Sequence, residues 1–239
     1  APWGQRIQRD ENSLTYNNVL TYNLKLPGNH IFDFMLGQED YQFGQRFMTV
    51  KSTNFPKENF GLDDMALGST ADLTQTGGFN ERLISFFGRV NYNLNQKYLA
   101  TLSMRADASS KFGANSKWGY FPSASLAWRA SEEDFIKNLD IFSNLKVRLS
   151  YGTAGNNRIS AYRSLSNFSS SWQPFLDQIN ISYYSTQLPN KNLRWETNIS
   201  SNLGFEMGFF DQKVQVVLDL YSNQTKDLLL DSKIPLYSG

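Results

Sequence analysis

The stretch Arg89-Val-Asn-Tyr-Asn-Leu-Asn-Gln-Lys-Tyr-Leu-Ala-Thr-Leu-Ser-Met104 decides the fold. Val90, Tyr92 and Leu94 share one parity with Ile84 and Phe86 upstream, while Ser85, Arg89, Asn91 and Asn93 share the other. A period of two puts alternate side chains on opposite faces of an extended chain, so residues 83–94 read as a strand with one apolar and one wet face. Asn95-Gln96 then reverses the chain in a short turn. On the way back Tyr98, Ala100, Leu102 and Met104 alternate with Thr101, Ser103, Arg105 and Asp107.

The same alternation extends in both directions. Upstream, Leu14, Tyr16, Leu20, Tyr22, Leu24 and Leu26 stand opposite Thr15, Asn17, Thr21, Asn23 and Lys25. Pro27-Gly28-Asn29 supplies a tight turn, because Pro presets one dihedral and Gly or Asn tolerates positive φ. Phe32, Phe34 and Leu36 follow on one face, with Asp33, Gly37 and Glu39 on the other. Downstream, Tyr120, Ala124, Leu126 and Trp128 oppose Phe121, Ser123, Ser125 and Arg129, and Leu145, Val147, Leu149 and Tyr151 oppose Lys146, Arg148, Ser150 and Gly152. A seventh strand places Leu193, Trp195, Ile199, Leu203 and Phe205 against Arg194, Glu196, Asn198, Asn202 and Glu206. An eighth has Val214, Val216, Leu218 and Leu220 against Gln215, Asp219, Tyr221 and Asn223. Between the fifth and sixth, Ser131-Glu132-Glu133-Asp134-Phe135 predicts a short helix capped by Ser131, with carboxylates in the first turn where the helix dipole favours them.

About eight strands near the roughly 9 to 11 residues of a tilted membrane-spanning strand are joined by connections that run short, long, short, medium, short, long, short. An outer-membrane barrel has this rhythm, with turns on the periplasmic side and loops outside. It places the turns near Gly28, Asn95, Asn138 and Asp211 inside, and loops over residues 44–81, 108–118 and 155–192 outside. Arg89, Arg105, Asp107, Lys146, Arg148, Arg194, Glu196 and Asp219 all fall on the wet parity. An Arg facing lipid at the midplane would cost roughly 2 to 4 kcal/mol, which accounts for the segregation. Tyr16, Tyr92, Tyr98, Tyr120, Trp128, Tyr151 and Trp195, near strand ends, are expected to form aromatic girdles at the headgroups. The fold class expected is all-β: antiparallel transmembrane β-barrel strands, about eight staves of a larger cylinder. The rival is a soluble β-sandwich, which would bury Phe86, Leu102, Val147 and Leu218 in a closed globule.

Composition agrees. Aromatic residues make up 15% of the 239 residues, yet the mean hydropathy is −0.46. Rings on an outer face and polar groups on an inner one satisfy both figures. A net charge of +1 leaves no electrostatic footprint for nucleic acid. With no Cys there are no disulfides, thiolate metal sites or Cys nucleophiles. No run approaches the roughly 18 to 20 apolar residues of a spanning helix.

Little enzyme chemistry is legible, and no catalytic residue, metal or cofactor is expected. The single histidine, His30, stands beside a turn and reads as a satisfied rim residue rather than a triad member or metal ligand. Glu132-Glu133 and Asp63-Asp64 read as a helix first turn and a solvated loop rather than as acid-base pairs. Trp172 and Phe175, in the long loop over 155–192, have the flat faces that stack on a sugar or peptide, and equally those of lid packing or a partner contact.

The run from Arg89 to Trp128 carries Arg-Val-Asn-Tyr-Asn-Leu-Asn-Gln-Lys-Tyr, Arg-Ala-Asp-Ala-Ser-Ser-Lys-Phe-Gly and Trp-Gly-Tyr-Phe-Pro-Ser-Ala-Ser-Leu-Ala-Trp. It closely resembles the late barrel of SusC/RagA-like TonB-dependent transporters of the outer membrane. Asn144 to Asn157, Leu193-Arg194-Trp195-Glu196-Thr197, Asp219 to Pro235 and Gly28 to Glu39 are similar to further segments of that family, in family order. Ala106 and Ala108 flank Asp107 where family members more often carry Asp-Gly-Ser-Ser.

The resemblance implies that residues 1–239 are part of one barrel domain of about 22 strands, a fragment lacking the TonB box, plug and N-terminal extension. It implies import of oligosaccharides or peptides across the outer membrane of a Gram-negative bacterium. TonB would act through a plug, a SusD-like lipoprotein would cap the barrel, and outer-membrane lipid would surround it. Arg89, Arg105, Asp107, Arg148, Arg194 and Glu196 would then face the lumen, and Asn156, Asn157, Trp172 and Phe175 would meet substrate or lipoprotein. A small passive barrel and a soluble glycan-binding sandwich remain as alternatives.

Overall fold

Alternating sequence becomes antiparallel ladder throughout. The computed structural model describes residues 2–56, 63–71, 74–175 and 178–230. Its strands are β1 (Trp3–Leu26), β2 (His30–Thr53), β3 (Thr70–Ala71), β4 (Gln75–Leu94), β5 (Tyr98–Ser109), β6 (Trp118–Arg129), β7 (Asn144–Asn156), β8 (Asn167–Phe175), β9 (Gln178–Gln187), β10 (Glu196–Phe209) and β11 (Val214–Lys226), with one short helix, α1 (Asp134–Lys137). The main sheet runs β1-β2-β4-β5-β6-β7-β10-β11, with β3 paired to β2 and β8-β9 forming a separate hairpin. The path has the expected eight strands. Among the described residues it does not close, so its ends are β1 and β11.

The chain divides into two units, residues 1–16 with 40–82, and residues 17–39 with 83–239. In the first, the structure corrects the loop expected over 44–81. β2 continues to Thr53 and β4 begins at Gln75, which confines the connection to residues 54–74. Gly77 is a strand residue there: a Cβ at Gly77 would lie 2.6 Å from the Phe47 ring, so the glycine makes room for its neighbour rather than a turn. Both faces of residues 44–53 are mixed in polarity, which hides the period of two. At 24 residues each, β1 and β2 also exceed the strands expected there. Asp64 caps a 3₁₀ turn at Met65–Leu67 by accepting from the Ala66 N–H at 3.0 Å, so the carboxylate is a loop cap.

In the second unit, Asn95 and Gln96 have φ of 54° and 58°, and Lys97 N–H donates to Leu94 O at 2.9 Å. This is the primed turn that suits the twist of a hairpin. Phe210, Asp211 and Gln212 reverse the chain in the same left-handed region. The loop expected over 155–192 contains β8 and β9, and β10 starts at Glu196 rather than near Leu193.

The helix also starts later than expected. Its first residue is Asp134, its cap position is Glu133, and neither Ser131 nor Glu133 caps it through a side chain. The Glu133 carboxylate instead accepts from the Tyr98 hydroxyl at 2.6 Å and the Trp128 indole N–H at 3.3 Å, with the Lys97 ammonium at 3.4 Å. Three donors at the base of the β5–β6 hairpin outcompete a local cap.

Buried apolar residues are few. Among the described residues they are Phe112, Phe121, Ala130 and Trp195. Phe86, Leu102 and Leu218 are 50%, 62% and 48% exposed, and Val147 is only half-buried, so the globule that a sandwich requires is not formed. The expected girdle tryptophan Trp195 is a correction, because it lies inside this small core. Its ring packs 5.0 Å from Phe112 and edge-on to Phe121 at 5.4 Å, and its indole N–H donates to Lys117 O at 2.9 Å.

The cluster fills a fork in the sheet. β6 pairs with β7 only over Ser123–Arg129, although β6 begins at Trp118 and β7 continues to Asn156. The split starts at Pro122, which has no N–H to give a ladder. Its carbonyl accepts from the Thr153 hydroxyl at 3.1 Å instead. Phe121 occupies the gap, since a Cβ on Gly119 or Gly155 would come within 2.5 or 2.1 Å of its ring.

Two outcomes follow from these contacts. Trp195→Ala should lower the stability of detergent-purified protein by about 3 kcal/mol, read as a lower urea midpoint; an unchanged midpoint would show that the wedge carries no load. Hydrogen bonds to Tyr98 and Trp128 hold the Glu133 carboxyl below the usual carboxylate range. A depressed value gives stability that is present above the unfolded value, about 4.3, and is lost as pH falls through the folded one. Protection of the Asn138 amide, which donates to Asp134 O, should therefore fall as pH is lowered from neutral through the depressed value, and Glu133→Gln should remove the share of that fall that Glu133 carries beside Glu132.

Candidate functional site: the polar face of the sheet

Partners across an antiparallel ladder share a face. Val90, Leu102, Ala124, Tyr151 and Ser201 form one transverse row. Tyr92, Ala100, Leu126, Leu149, Leu203 and Leu220 form the next, and Leu94, Tyr98, Trp128, Val147, Phe205 and Leu218 the one after. These rows make the apolar face. On the other face the rows are Asn91-Thr101-Ser125-Ser150-Asn202-Tyr221 and Arg89-Ser103-Ser123-Gly152-Ser200-Asn223. The parity read strand by strand thus holds through the six strands from β4 to β11, except for the polar pair Ser201–Ser222 in an apolar row and for residues 193–195, which precede β10.

The polar face is cross-linked. Thr101 donates to Asn91 at 3.0 Å, the Ser103 and Ser123 hydroxyls are 2.6 Å apart, and Ser200 donates to Asn223 at 2.7 Å. Two arginines act as hubs. Arg105 donates from Nε to Asp107 at 2.9 Å and from Nη2 to Ser85 at 2.8 Å, lies 3.9 Å from Glu39, and sits over the Phe87 ring at 5.5 Å. Asp107 is buried against this guanidinium, its Oδ1 lying 2.8 Å from Arg105 Nε without a hydrogen bond of its own. Arg148 Nε lies 2.8 Å from Glu206, in an ion pair too bent for a hydrogen bond, while Nη2 donates to Asp219 at 3.2 Å. Gly204, between them in the ladder, leaves the space, because a Cβ there would come within 2.6 Å of Asp219.

Of the residues singled out in the sequence, Arg89, Arg105, Asp107, Arg148 and Glu196 stand on this polar face. Asn156 is directly opposite Glu196 and donates to it at 2.8 Å. Asn157 donates to Ser109 at 3.4 Å. Arg194 precedes β10 and pairs loosely with Asp227 at 4.0 Å, so it belongs to no ladder row. Trp172 and Phe175 lie in β8, and their side chains fall outside what the structure describes. His30 is partnered at the turn, with Nδ1 2.8 Å from the Tyr92 hydroxyl. Glu206 and Ser85 complete the hubs, but only the ladder partners reveal them as such. Among the described residues no cluster of His, Asp and Glu has the makings of a metal site.

Comparison with known proteins matches a family model described as TonB-dependent receptor-like β-barrel over residues 3–238. The chain is 35% identical to the TonB-dependent receptor SusC of Bacteroides thetaiotaomicron, over 98% of its own length and 23% of that protein. It is 34% identical to TonB-dependent receptor P3 of Formosa agariphila, over 96% and 22%. A structure of the RagAB peptide transporter superposes with a TM-score of 0.84 at 25% identity, over 99% of this chain and 26% of that one. The chain therefore spans about a quarter of the length of the relatives it matches.

Because Arg148 and its two carboxylates are each roughly one-third or more exposed, solvent screens them, and a double-mutant cycle between Arg148→Met and Asp219→Asn should give under about 1 kcal/mol of coupling, shrinking in high salt. A coupling of several kcal/mol would mean that the pair is desolvated.

Proposed function

Because the chain belongs to the TonB-dependent receptor β-barrel family of the Gram-negative outer membrane, we propose that it forms part of the wall of a SusC-like importer of oligosaccharides or peptides. Residues 1–239 form part of a single barrel domain in this reading. The apolar rows meet lipid. The polar rows, with Arg89, Arg105, Asp107, Arg148 and Glu196, line the lumen, and Arg194 stands at its rim. One observation carries the reading: apolar and polar rows stay separated through consecutive ladders while the apolar face remains exposed. Exposed apolar surface of that extent needs a covering, and a bilayer supplies one along the whole face.

Energy for uptake comes in this reading from TonB acting on a plug, and a SusD-like lipoprotein covers the outer mouth. Long connections such as 157–195, carrying Asn157, Trp172 and Phe175, then meet cargo or the lipoprotein. The rich supply of hydroxyls and amides on the polar face suits hydrated cargo, since each group offers both hydrogen-bond roles or close to it.

The absence of Cys from these 239 residues makes the face assignment directly testable. Single Cys substitutions at Asn91, Ser150 and Asn202 in the intact outer-membrane receptor should react with a charged, water-soluble maleimide. Those at Leu102, Leu149 and Leu203 should react only with a lipid-soluble one, and the opposite pattern would defeat the reading. An uncoupler should abolish uptake of a fluorescent oligosaccharide or peptide; uptake that persists identifies a passive barrel instead.

A further inference from the structure

The apolar face is not smooth. On it Gly88, Pro122 and Ala124 floor a groove of about 540 Å³, walled by Leu36, Leu102 and Tyr151. The groove is open because the row Gly88-Met104-Pro122 has a glycine at one end and a proline at the other. A second pocket, of about 270 Å³ and with a more polar lining, lies farther along the same strand. Asn115, Ser116, Arg194, Thr197 and Asp227 supply its polar groups, beside Trp118 and Tyr120. β6 joins the two: Ala124 and Pro122 line the groove, Tyr120 and Trp118 line the pocket, and all four share one face. Each step of two residues along a strand advances roughly 7 Å. Tyr120 of the polar pocket therefore follows Pro122 of the apolar groove by one such step on the same face.

From this juxtaposition we propose a specific binding site for one molecule of phosphorylated, acylated glycolipid from the outer leaflet, its acyl chain in the groove and its sugar headgroup in the pocket. The site rests on the placement of the apolar face in the membrane argued above, and goes beyond it by assigning a resident lipid. Three chemical features select this occupant. Tyr120 is 62% exposed, and Trp118, stacked on Phe86 at 6.2 Å on one side, is still 45% exposed, so each offers ring surface to the apolar face of a sugar. The Arg194 guanidinium is 62% exposed and its pairing with Asp227 is long at 4.0 Å, which leaves it able to turn toward a phosphate. Asn115, Ser116 and Asp227 offer donors and acceptors to sugar hydroxyls. A simple hydrocarbon chain would leave the pocket unused, and a free sugar would leave the groove unused.

The fork between β6 and β7 explains why the pocket exists. Its polar lining comes from Asn115 and Ser116 just before β6, from Arg194 and Thr197 at the entry to β10, and from Asp227 just past β11, with none of these lining residues in β7. Where the β6–β7 ladder stops, Phe121 and Trp195 plug the gap from behind and also line the pocket. The wedge thus seals the wall and forms the back of the headgroup site.

The test uses the full-length receptor in phosphatidylethanolamine nanodiscs, with lipid A, an acylated bisphosphorylated disaccharide, as the probe. Retention is measured by native mass spectrometry. Wild type should retain lipid A, Arg194→Ala should weaken retention about tenfold, and Ala124→Phe, which fills the groove, should weaken it at least as much. De-acylated lipid A and maltoheptaose should not compete. Retention unchanged in both variants overturns the site, and displacement by the de-acylated sugar reassigns the pocket to soluble saccharide. Both variants should still fractionate with outer membranes, and Ala124→Phe should import cargo as wild type does. Failure of wild type itself to fractionate there would refute the membrane placement rather than the lipid site.

Discussion

Everything in this chain depends on backbone hydrogen bonds being satisfied laterally while one face of the sheet meets hydrocarbon. A peptide group unpaired in lipid costs several kcal/mol, so each strand must be bonded on both sides through the membrane. That requirement produces the continuous ladders β4–β5, β5–β6, β7–β10 and β10–β11, and the β6–β7 ladder over Ser123–Arg129. It also produces the parity rule, because once register is fixed by tight turns a single polar residue out of step would face lipid. The two requirements reinforce each other. The hairpin at Asn95-Gln96 locks Val90 beside Leu102, and the ladder then carries that row on to Ala124 and Tyr151.

The fork between β6 and β7 shows how the protein handles an exception. Pro122 cannot complete a ladder, and the strands above it separate. Backbone pairing is replaced by aromatic packing, with Phe121 fitted against two glycines and Trp195 anchored to Lys117 O. Dispersion and exclusion of water then close a wall that hydrogen bonds leave open. Sequence reading placed Phe121 on the wet parity and Trp195 among the girdles, and neither position hinted at a meeting. They come together because the residues after β9 return to β6, a long-range event that no local period encodes.

Legibility follows the same division. Where a strand has one apolar and one polar face, as from Leu83 to Leu94, periodicity reveals both the element and which residues share a face. Where both faces are mixed, as in residues 44–53, selection for parity is absent, and strand reads as loop. Gly77 sharpened that error, since the usual meaning of glycine is a turn, whereas here it clears space for Phe47. Ser131 misled for a related reason. Local capping rules favoured it, but Glu133 is engaged by Tyr98, Trp128 and Lys97, and the helix begins after Glu133.

The charged groups of the polar face were legible as a set and illegible as a network. Parity alone put Arg105, Asp107 and Arg148 on one surface, but it could not say that Arg148 would reach Asp219 across β10. That contact needs Gly204 at the crossing point, where any side chain would occupy the guanidinium's path. Exposed pairs of this kind add little stability, so their arrangement reflects something other than holding the sheet together. A face carrying arginine hubs, carboxylates and hydroxyl ladders presents fixed donors and acceptors, while the apolar rows occupy the alternate positions of the same strands. Polar network and apolar surface are thereby carried on opposite sides of the same strands, residue by alternate residue.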